Sequence, residues 1–310
     1  MKLHTYPEDF QDLITIVAVD KHIPEAAVRR DYFIVMMLQK LSCSQYADQC
    51  VFKGGTSLSK CFPGTIERFS EDIDLTFWCE DLTTNQRERA LKRIEAIMSE
   101  GGYCEPIVGE RSPTNKASHV WFTERNDSIK LEIGSKVQPE PASKKTVKTY
   151  IHEYLEKQGL TSAINEYGLK PVEVYVLDVE RTFVDKVYAV RRHAICGTLE
   201  PKVRHVYDVT RLFAISEIQT LLSNRKELKR LVELTKESSL AYADKRLLPE
   251  YYDPQGVFGF DDWKDKLDDR VKGIYESLHL ELLYTDEKQD FELALETFQK
   301  ISDILVAIDE

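Results

Sequence analysis

"FKGGTSLSKCFPGTIERFSEDIDLTF", residues 52–77, joins a glycine pair, a run of small hydroxyl residues and two aspartates one residue apart. Side chains alternate across a strand, so if the end of this stretch is a strand, Asp72, Asp74 and Thr76 point one way and Ile73, Leu75 and Phe77 the other. Two carboxylates about 7 Å apart along one strand face repel each other unless solvent or a cation separates them. A hard divalent ion with oxygen ligands, its shell completed by substrate phosphates, relieves that repulsion. Upstream, "KGGTSLSK" ends a short strand and opens a short helix. Glycine lets backbone come close to phosphate oxygens, and a helix N-terminus offers free N–H groups and a favourable dipole. Thr56 or Ser57 adds a hydroxyl donor. Two familiar phosphate loops are excluded. A Walker loop needs glycine directly before the lysine, where Ser59 precedes Lys60, and G-x-G-x-x-G is absent. Each half of the stretch alone also fits an ordinary tight turn followed by a polar strand face.

Working outward, "IPEAAVRRDYFIVMMLQKLS" (Ile23–Ser42) reads as a helix with Pro24 in its first position and an apolar stripe through Val28, Tyr32, Val35 and Met36. "CVFK" and "IDLTFW" read as strands, and Gln86–Glu100 as a helix stopped by Gly101-Gly102. "HVWFTE" and "SIKLEIGS" alternate with period two and form a hairpin through Arg125–Asp127. "QPEPASKK" reads as a loop, and "VEVYVLD" as the last strand. From there the pattern turns helical, with "VERTFVDKVYAVRRHA" and "RHVYDVTRLFAI" as two of the helices. The expected fold class is α+β: a mixed sheet flanked by helices over residues 1–178, then a helical half over 179–310. In "SIKLEIG", Lys130 and Glu132 share the polar strand face. If that strand lies beside the aspartate strand, Glu132 becomes a third carboxylate, the number that positions two metal ions for in-line displacement at phosphorus.

Composition sets the bounds. The chain has 310 residues, 42% hydrophobic and 31% charged, which is the composition of a folded protein with ample core. Net charge is −11, which argues against indiscriminate binding to nucleic acid. Residues 181–230 nevertheless hold eleven Lys and Arg against five Asp and Glu, a surface on which a polyanion can dock. The apolar run Leu13–Val19 is too short to cross a bilayer, so no membrane association is expected. Six cysteines without C-x-x-C spacing read as buried free thiols of a cytoplasmic protein.

The glycine–aspartate block resembles that of the AbiEii/AbiGii-type nucleotidyltransferase toxins of abortive-infection systems, in the DNA polymerase β-like superfamily. "DYFIVMMLQKLS", "IKLEIG", "FVDKVYAVRRHA", "KVRHVYDVTRLF" and "YYDPQGVFGF…W" extend the resemblance over nearly the whole chain. It implies that Gly54, Gly55, Thr56 and Ser57 cradle the triphosphate of an NTP. Asp72, Asp74 and Glu132 would hold Mg²⁺ or Mn²⁺, with Glu132 either a ligand or a base. Lys186 would neutralise phosphate charge, and Asp208 would complete the site beside Arg204. The implied reaction moves NMP to an acceptor hydroxyl, an RNA end such as that of tRNA or a protein side chain, and releases pyrophosphate. The implied role is a phage-defence toxin of type IV, restrained by a cognate antitoxin. Where some relatives have aspartate, this chain has His205, which stays outside the catalytic set. Lys53 and Lys60 read as solvated.

Two other readings carry less. A nuclease of the PD-(D/E)xK kind needs lysine two residues after its second acidic residue, and Gly134 stands there. A binding module that keeps the fold without turnover would not need every acidic position filled.

Overall fold

The computed structural model describes residues 1–70, 72–241, 248–284 and 287–309. Glu71, inside the opening stretch, lies outside the described residues. The chain clusters into two compact units, Met1–Phe62 with Phe69–Leu177, and Pro63–Arg68 with Asp178–Glu310.

The first unit holds strands β1 (Cys50–Lys53), β2 (Asp72–Phe77), β3 (Tyr103–Pro106), β4 (Asn115–Trp121), β5 (Ile129–Gly134), β6 (Ala142–Val147) and β7 (Val172–Leu177). They form one sheet in the order β3-β4-β5-β2-β1-β7-β6. β2 runs parallel to β5 and β1 parallel to β7, while the other neighbours are antiparallel. The sheet is thus mixed, as the α+β reading expects. Its helices are α1 (Pro7–Lys21), α2 (Glu25–Ser42), α3 (Gly54–Cys61), α4 (Thr84–Met98), α5 (Tyr150–Lys157) and α6 (Thr161–Glu166).

Alternation decides which way the sheet faces. Ile73, Leu75 and Phe77 of β2 join Ile129, Leu131 and Ile133 of β5 in one buried cluster, together with Tyr32, Phe33, Val35 and Met36 of α2. Each such side chain contributes about 1.5–3 kcal/mol by leaving water. The intervening positions, Asp72, Asp74, Lys130 and Glu132, are therefore left on the other face, where they keep partial contact with solvent.

Local chemistry moves several boundaries. Pro24 is the N-cap of α2, with extended backbone, rather than its first helical residue. α4 starts at Thr84 because Thr83 and Gln86 close a reciprocal capping box. Ala142–Lys145, read as loop, pair with β7 as the first part of β6. β3 is wholly exposed and carries no apolar alternation. Lys60 is not solvated. Its ammonium lies 2.6 Å from the Asp31 carboxylate, with side-chain exposures of 5% and 6%, and 4.1 Å above the Tyr150 ring. Burial pushes the Asp31 carboxyl up, against the Lys60 ammonium and the Tyr150 N–H that pull it down. Among the cysteines Cys50 is buried and its thiol is pushed up to about 12 by that burial. Cys43 and Cys104 are exposed, so not all six are core thiols.

Among its described residues the second unit contributes α7 (Val179–Ile195), α8 (Arg204–Phe213), α9 (Ser216–Ser223), α10 (Arg225–Ala241), α11 (Asp269–Glu281) and α12 (Phe291–Asp309). Trp263, from the segment before α11, meets Phe258, Phe260 and Phe298 of α12 edge-on at centroid distances of 4.8–5.8 Å, and Phe260 stacks on Phe298 at 5.9 Å. Among the described residues no helix is long and apolar enough to cross a membrane.

The buried Asp31–Lys60 pair generates a prediction. Asp31→Asn leaves an ammonium buried without its counter-charge and should cost about 3–5 kcal/mol in urea unfolding. The double change Asp31→Leu, Lys60→Met should recover most of that loss, because it removes both charges from the core.

Candidate active site

The turn from β1 into α3 brings two parts of the opening stretch together. Gly54 has φ +88°, in the region that favours glycine. A Cβ there would collide with an oxygen of the Asp74 carboxylate. Lys53 lies opposite Asp74 in the β1–β2 ladder, so the strand pairing delivers Asp74 to the start of α3. The absence of a side chain at Gly54 is what allows the carboxylate and the helix N-terminus to come so close.

Thr56 and Ser57 are buried and already engaged. The Thr56 hydroxyl donates to the Asp72 carbonyl and lies 2.9 Å from the Ser70 hydroxyl. The Ser57 hydroxyl donates to the Gly54 carbonyl at 2.9 Å, bending back over the first turn. Both hydroxyls thus fix the loop geometry, a different task from the phosphate contact expected of them. The donors that α3 offers an anion are its first N–H groups, from Gly54, Gly55 and Thr56, which precede the first i→i−4 bond of the helix.

β2 and β5 are adjacent and parallel, with Asp74 beside Glu132 and Asp72 beside Lys130. The three expected carboxylates therefore share one face, with backbones of neighbouring strands about 4.8 Å apart. They do not converge on one point. Among the described residues no group of three or more His, Cys, Asp or Glu side chains is placed to hold a metal ion. Glu132 keeps 41% of its side chain in solvent, and the Lys130 ammonium lies 3.7 Å from it. Lys130 in turn donates to Glu110 at 2.5 Å. Partial burial pulls the Lys130 pKa down, but the Glu110 hydrogen bond and the charges of Glu132, Glu110 and Asp72 outweigh it and hold the ammonium above its ordinary value. Carboxylate oxygens are the donor set of a hard cation. Mg²⁺ is usually held by one or two carboxylates plus substrate phosphates rather than by an all-protein cage, so this set fits such an ion without being closed around it.

Lys186 and Asp208 sit in the second unit, in a group the sequence did not disclose. Arg68 grips Asp208 as a fork, Nε to Oδ1 at 2.6 Å and Nη2 to Oδ2 at 2.7 Å, while Lys186 Nζ donates to Oδ2 at 2.7 Å. Asp208 is 0% exposed, and Arg68 and Lys186 are buried with it. Burial alone would raise the Asp208 carboxyl, but the Arg68 guanidinium and the Lys186 ammonium hold it well below the usual carboxylate range. His205 is partly buried, and burial together with the Lys186 ammonium holds it well below the ordinary histidine value. Its Nδ1 is buried without a hydrogen-bond partner among the described residues, and its ring stacks on His193 at 6.1 Å. Arg204 lines a cavity of about 530 Å³ whose other walls include Val203, Ile274, Leu278 and Leu282. Arg68 and Glu110 were missed because each lies outside the periodic segments; Arg68 is 140 residues from its partner.

The candidate site thus sets a glycine-started helix against a strand of aspartates on a mixed sheet. A family model described as nucleotidyl transferase AbiEii toxin, type IV toxin–antitoxin system, matches residues 36–297. The chain belongs to this family and is a nucleotidyltransferase. Membership implies, in general terms, an NTP substrate, a divalent metal and a cognate antitoxin. Among solved structures the chain is similar to MenT4, a nucleotidyltransferase toxin from Mycobacterium tuberculosis H37Rv, at TM-score 0.53 and 16% identity over 95% of this chain and 98% of that one. It is also similar to JHP933 from Helicobacter pylori, at TM-score 0.40 and 15% identity over 93% and 99% of the two chains. The likeness to MenT4 shows the fold. No curated protein sequence matches.

Two predictions follow from this geometry. Gly54→Ala should cost about 1–3 kcal/mol from backbone strain alone, with a further loss as Asp74 is displaced; thermal unfolding measures it. Asp208→Asn should destabilise by about 3–5 kcal/mol, since Arg68 and Lys186 stay buried without their anion. Because the folded Asp208 carboxyl is depressed, its contribution is whole above about pH 4 and fades only as the pH falls further, through the folded value. Urea unfolding of wild type and variant at pH 7 and at pH 3 checks the sign.

Proposed function

We propose that the chain transfers a nucleoside monophosphate from an NTP to an acceptor hydroxyl with the help of Mg²⁺ or Mn²⁺, and that the acceptor is an RNA end, in particular that of tRNA. A protein hydroxyl is the alternative acceptor. The observation that carries the reading is the register of β2 on β5, which sets Asp74 beside Glu132 next to the glycine-started helix.

In this reading the first N–H groups of α3 hold the β- and γ-phosphates, and Gly54 and Gly55 let the backbone approach them. Asp72, Asp74 and Glu132 anchor the divalent cations, which when bound offset charge on the attacking and leaving oxygens. Thr56 and Ser57 act through the loop they brace. The acceptor oxygen forms a bond to the α-phosphorus, the bond from that phosphorus to the bridging oxygen breaks, and pyrophosphate leaves. Glu132, which keeps 41% of its side chain in solvent, is assigned either to the cations or to accepting the hydroxyl proton.

From the second unit, Lys186 and Arg204 are assigned to balance substrate charge, and Asp208 to hold Lys186 in place. The basic surplus of residues 181–230 supports this part. The resulting damage to translation makes the protein a growth-arresting cytoplasmic toxin of a phage-defence system.

The test supplies each labelled NTP with total RNA and cell protein. Wild type should label one class of macromolecule, and the double variant Asp72→Ala, Asp74→Ala should label none while its circular dichroism is unchanged. Undiminished transfer by that variant would sink the assignment. RNA shortened without NTP would point to a nuclease instead.

A further inference from the structure

Lys130 is a cation placed among the carboxylates that the reading above assigns to metal. Its Cα pairs in register with Asp72, and its ammonium lies 3.7 Å from Glu132. Its shorter contact, 2.5 Å, is to Glu110. Glu110 comes from the turn between β3 and β4, which sequence patterning does not link to β5. That turn is built to hold its place. Gly109 takes φ +87°, the Glu110 N–H donates to the Ile107 carbonyl at 3.3 Å, and the Asn115 amide donates to the Glu110 carbonyl at 2.8 Å. Ser112 and Asn115 then bridge the base of the turn. All three side chains keep water contact, at 29% for Lys130, 46% for Glu110 and 41% for Glu132.

We propose that Lys130 and Glu110 form a charge-balancing pair that sets how tightly the Asp72–Asp74–Glu132 face takes a divalent cation. The inference rests on that face being the cation site. Lys130 and a divalent ion are competitors, because each draws its stabilisation from the same Glu132 carboxylate and each repels the other. With no ion bound, the ammonium offsets repulsion among Asp72, Asp74 and Glu132. Glu110 is the alternative partner that draws Lys130 away, so that Glu132 is released to the incoming ion without leaving an ammonium unpaired. Lys130 is thereby a positioning residue, acting through Glu132, and Glu110 is the residue that positions Lys130. A turn carboxylate that merely fastened the β3–β4 hairpin to β5 would affect stability and leave cation affinity alone.

The two roles separate in a Mn²⁺ titration without NTP, followed by calorimetry, with thermal unfolding of each metal-free protein alongside. Lys130→Met should tighten Mn²⁺ binding by about two- to fivefold, the range of a partly exposed ion pair. Glu110→Gln should weaken it by a similar factor, because Lys130 then falls back on Glu132. In the double variant the Glu110→Gln effect should largely vanish, since the competitor it controls is gone. Lys130→Gln repeats the measurement with a polar side chain should Lys130→Met fold poorly. Unchanged or weaker Mn²⁺ binding in both Lys130 variants would overturn the proposal, as would a Glu110→Gln effect that persists in full without Lys130. Wild-type protein that takes up no Mn²⁺ either alone or with a non-hydrolysable NTP analogue gives a different result: it removes the cation site itself, and the inference with it.

Discussion

The contact between Gly54 and the Asp74 carboxylate is the constraint on which the candidate site depends. Strand β1 must stop, reverse its backbone through a positive φ and start α3 within one residue, while the neighbouring strand sends an acid into the same space. Any side chain at Gly54 would collide with that acid, so the loop and the acid are two halves of one steric solution. The hydroxyls of Thr56 and Ser57 complete it. One ties α3 to the backbone of β2 at Asp72, and the other closes the first turn on Gly54. The small polar residues of "GGTS" are therefore needed before any ligand arrives, because they place a helix N-terminus beside a carboxylate.

Charge is handled in two contrasting ways. Asp208 and Asp31 are removed from water and matched at once with cations held 2.6–2.7 Å away. Such pairs gain little net stability over apolar packing, yet losing one partner is costly, so they fix geometry rather than add to stability. Asp72, Asp74 and Glu132 remain in partial contact with water on an open strand face. High local dielectric weakens the repulsion between carboxylates held close together, which is the condition a face must satisfy to receive a cation from solution. The long contact from Lys130 belongs to this second regime, where an ion pair is weak enough to be exchanged.

How much of this was legible in the sequence depends on whether a signal was periodic. β2, β5 and β7 alternate, α7 and α8 carry helical stripes, and each appears where its pattern puts it. The motif resemblance points to the family without any knowledge of sheet order, and the family comparison bears it out. β3 has no buried position to alternate with, and β6 begins at the end of a proline-bearing segment, so pattern alone does not reveal either. Charged residues gave the least warning. A lysine such as Lys60 looks the same in sequence whether it is solvated or buried against Asp31, 29 residues earlier in the chain. Arg68 and Glu110 lie in non-repetitive turns, and their partners are defined only by the folded backbone.

The acids legible as a motif and the partners illegible in it divide along a physical line. A strand face is a local property, so two aspartates at i and i+2 declare their shared face from sequence alone. What each carboxylate does with its charge is set by the nearest cation, and that is a tertiary property. Asp208 would be an ordinary helical acid without Arg68 and Lys186, which hold it ionised at 0% exposure. Glu132 would be an ordinary strand acid without Asp74 beside it and Lys130 above its own strand. Two acids of the same expected set thus come to opposite states: Asp208 is locked by two short buried bonds, and Glu132 is left half in water with one long contact. Only the second can give up its partner cheaply, while Asp208 is tied to Lys186 and Arg68 and could not leave them without uncovering buried charge.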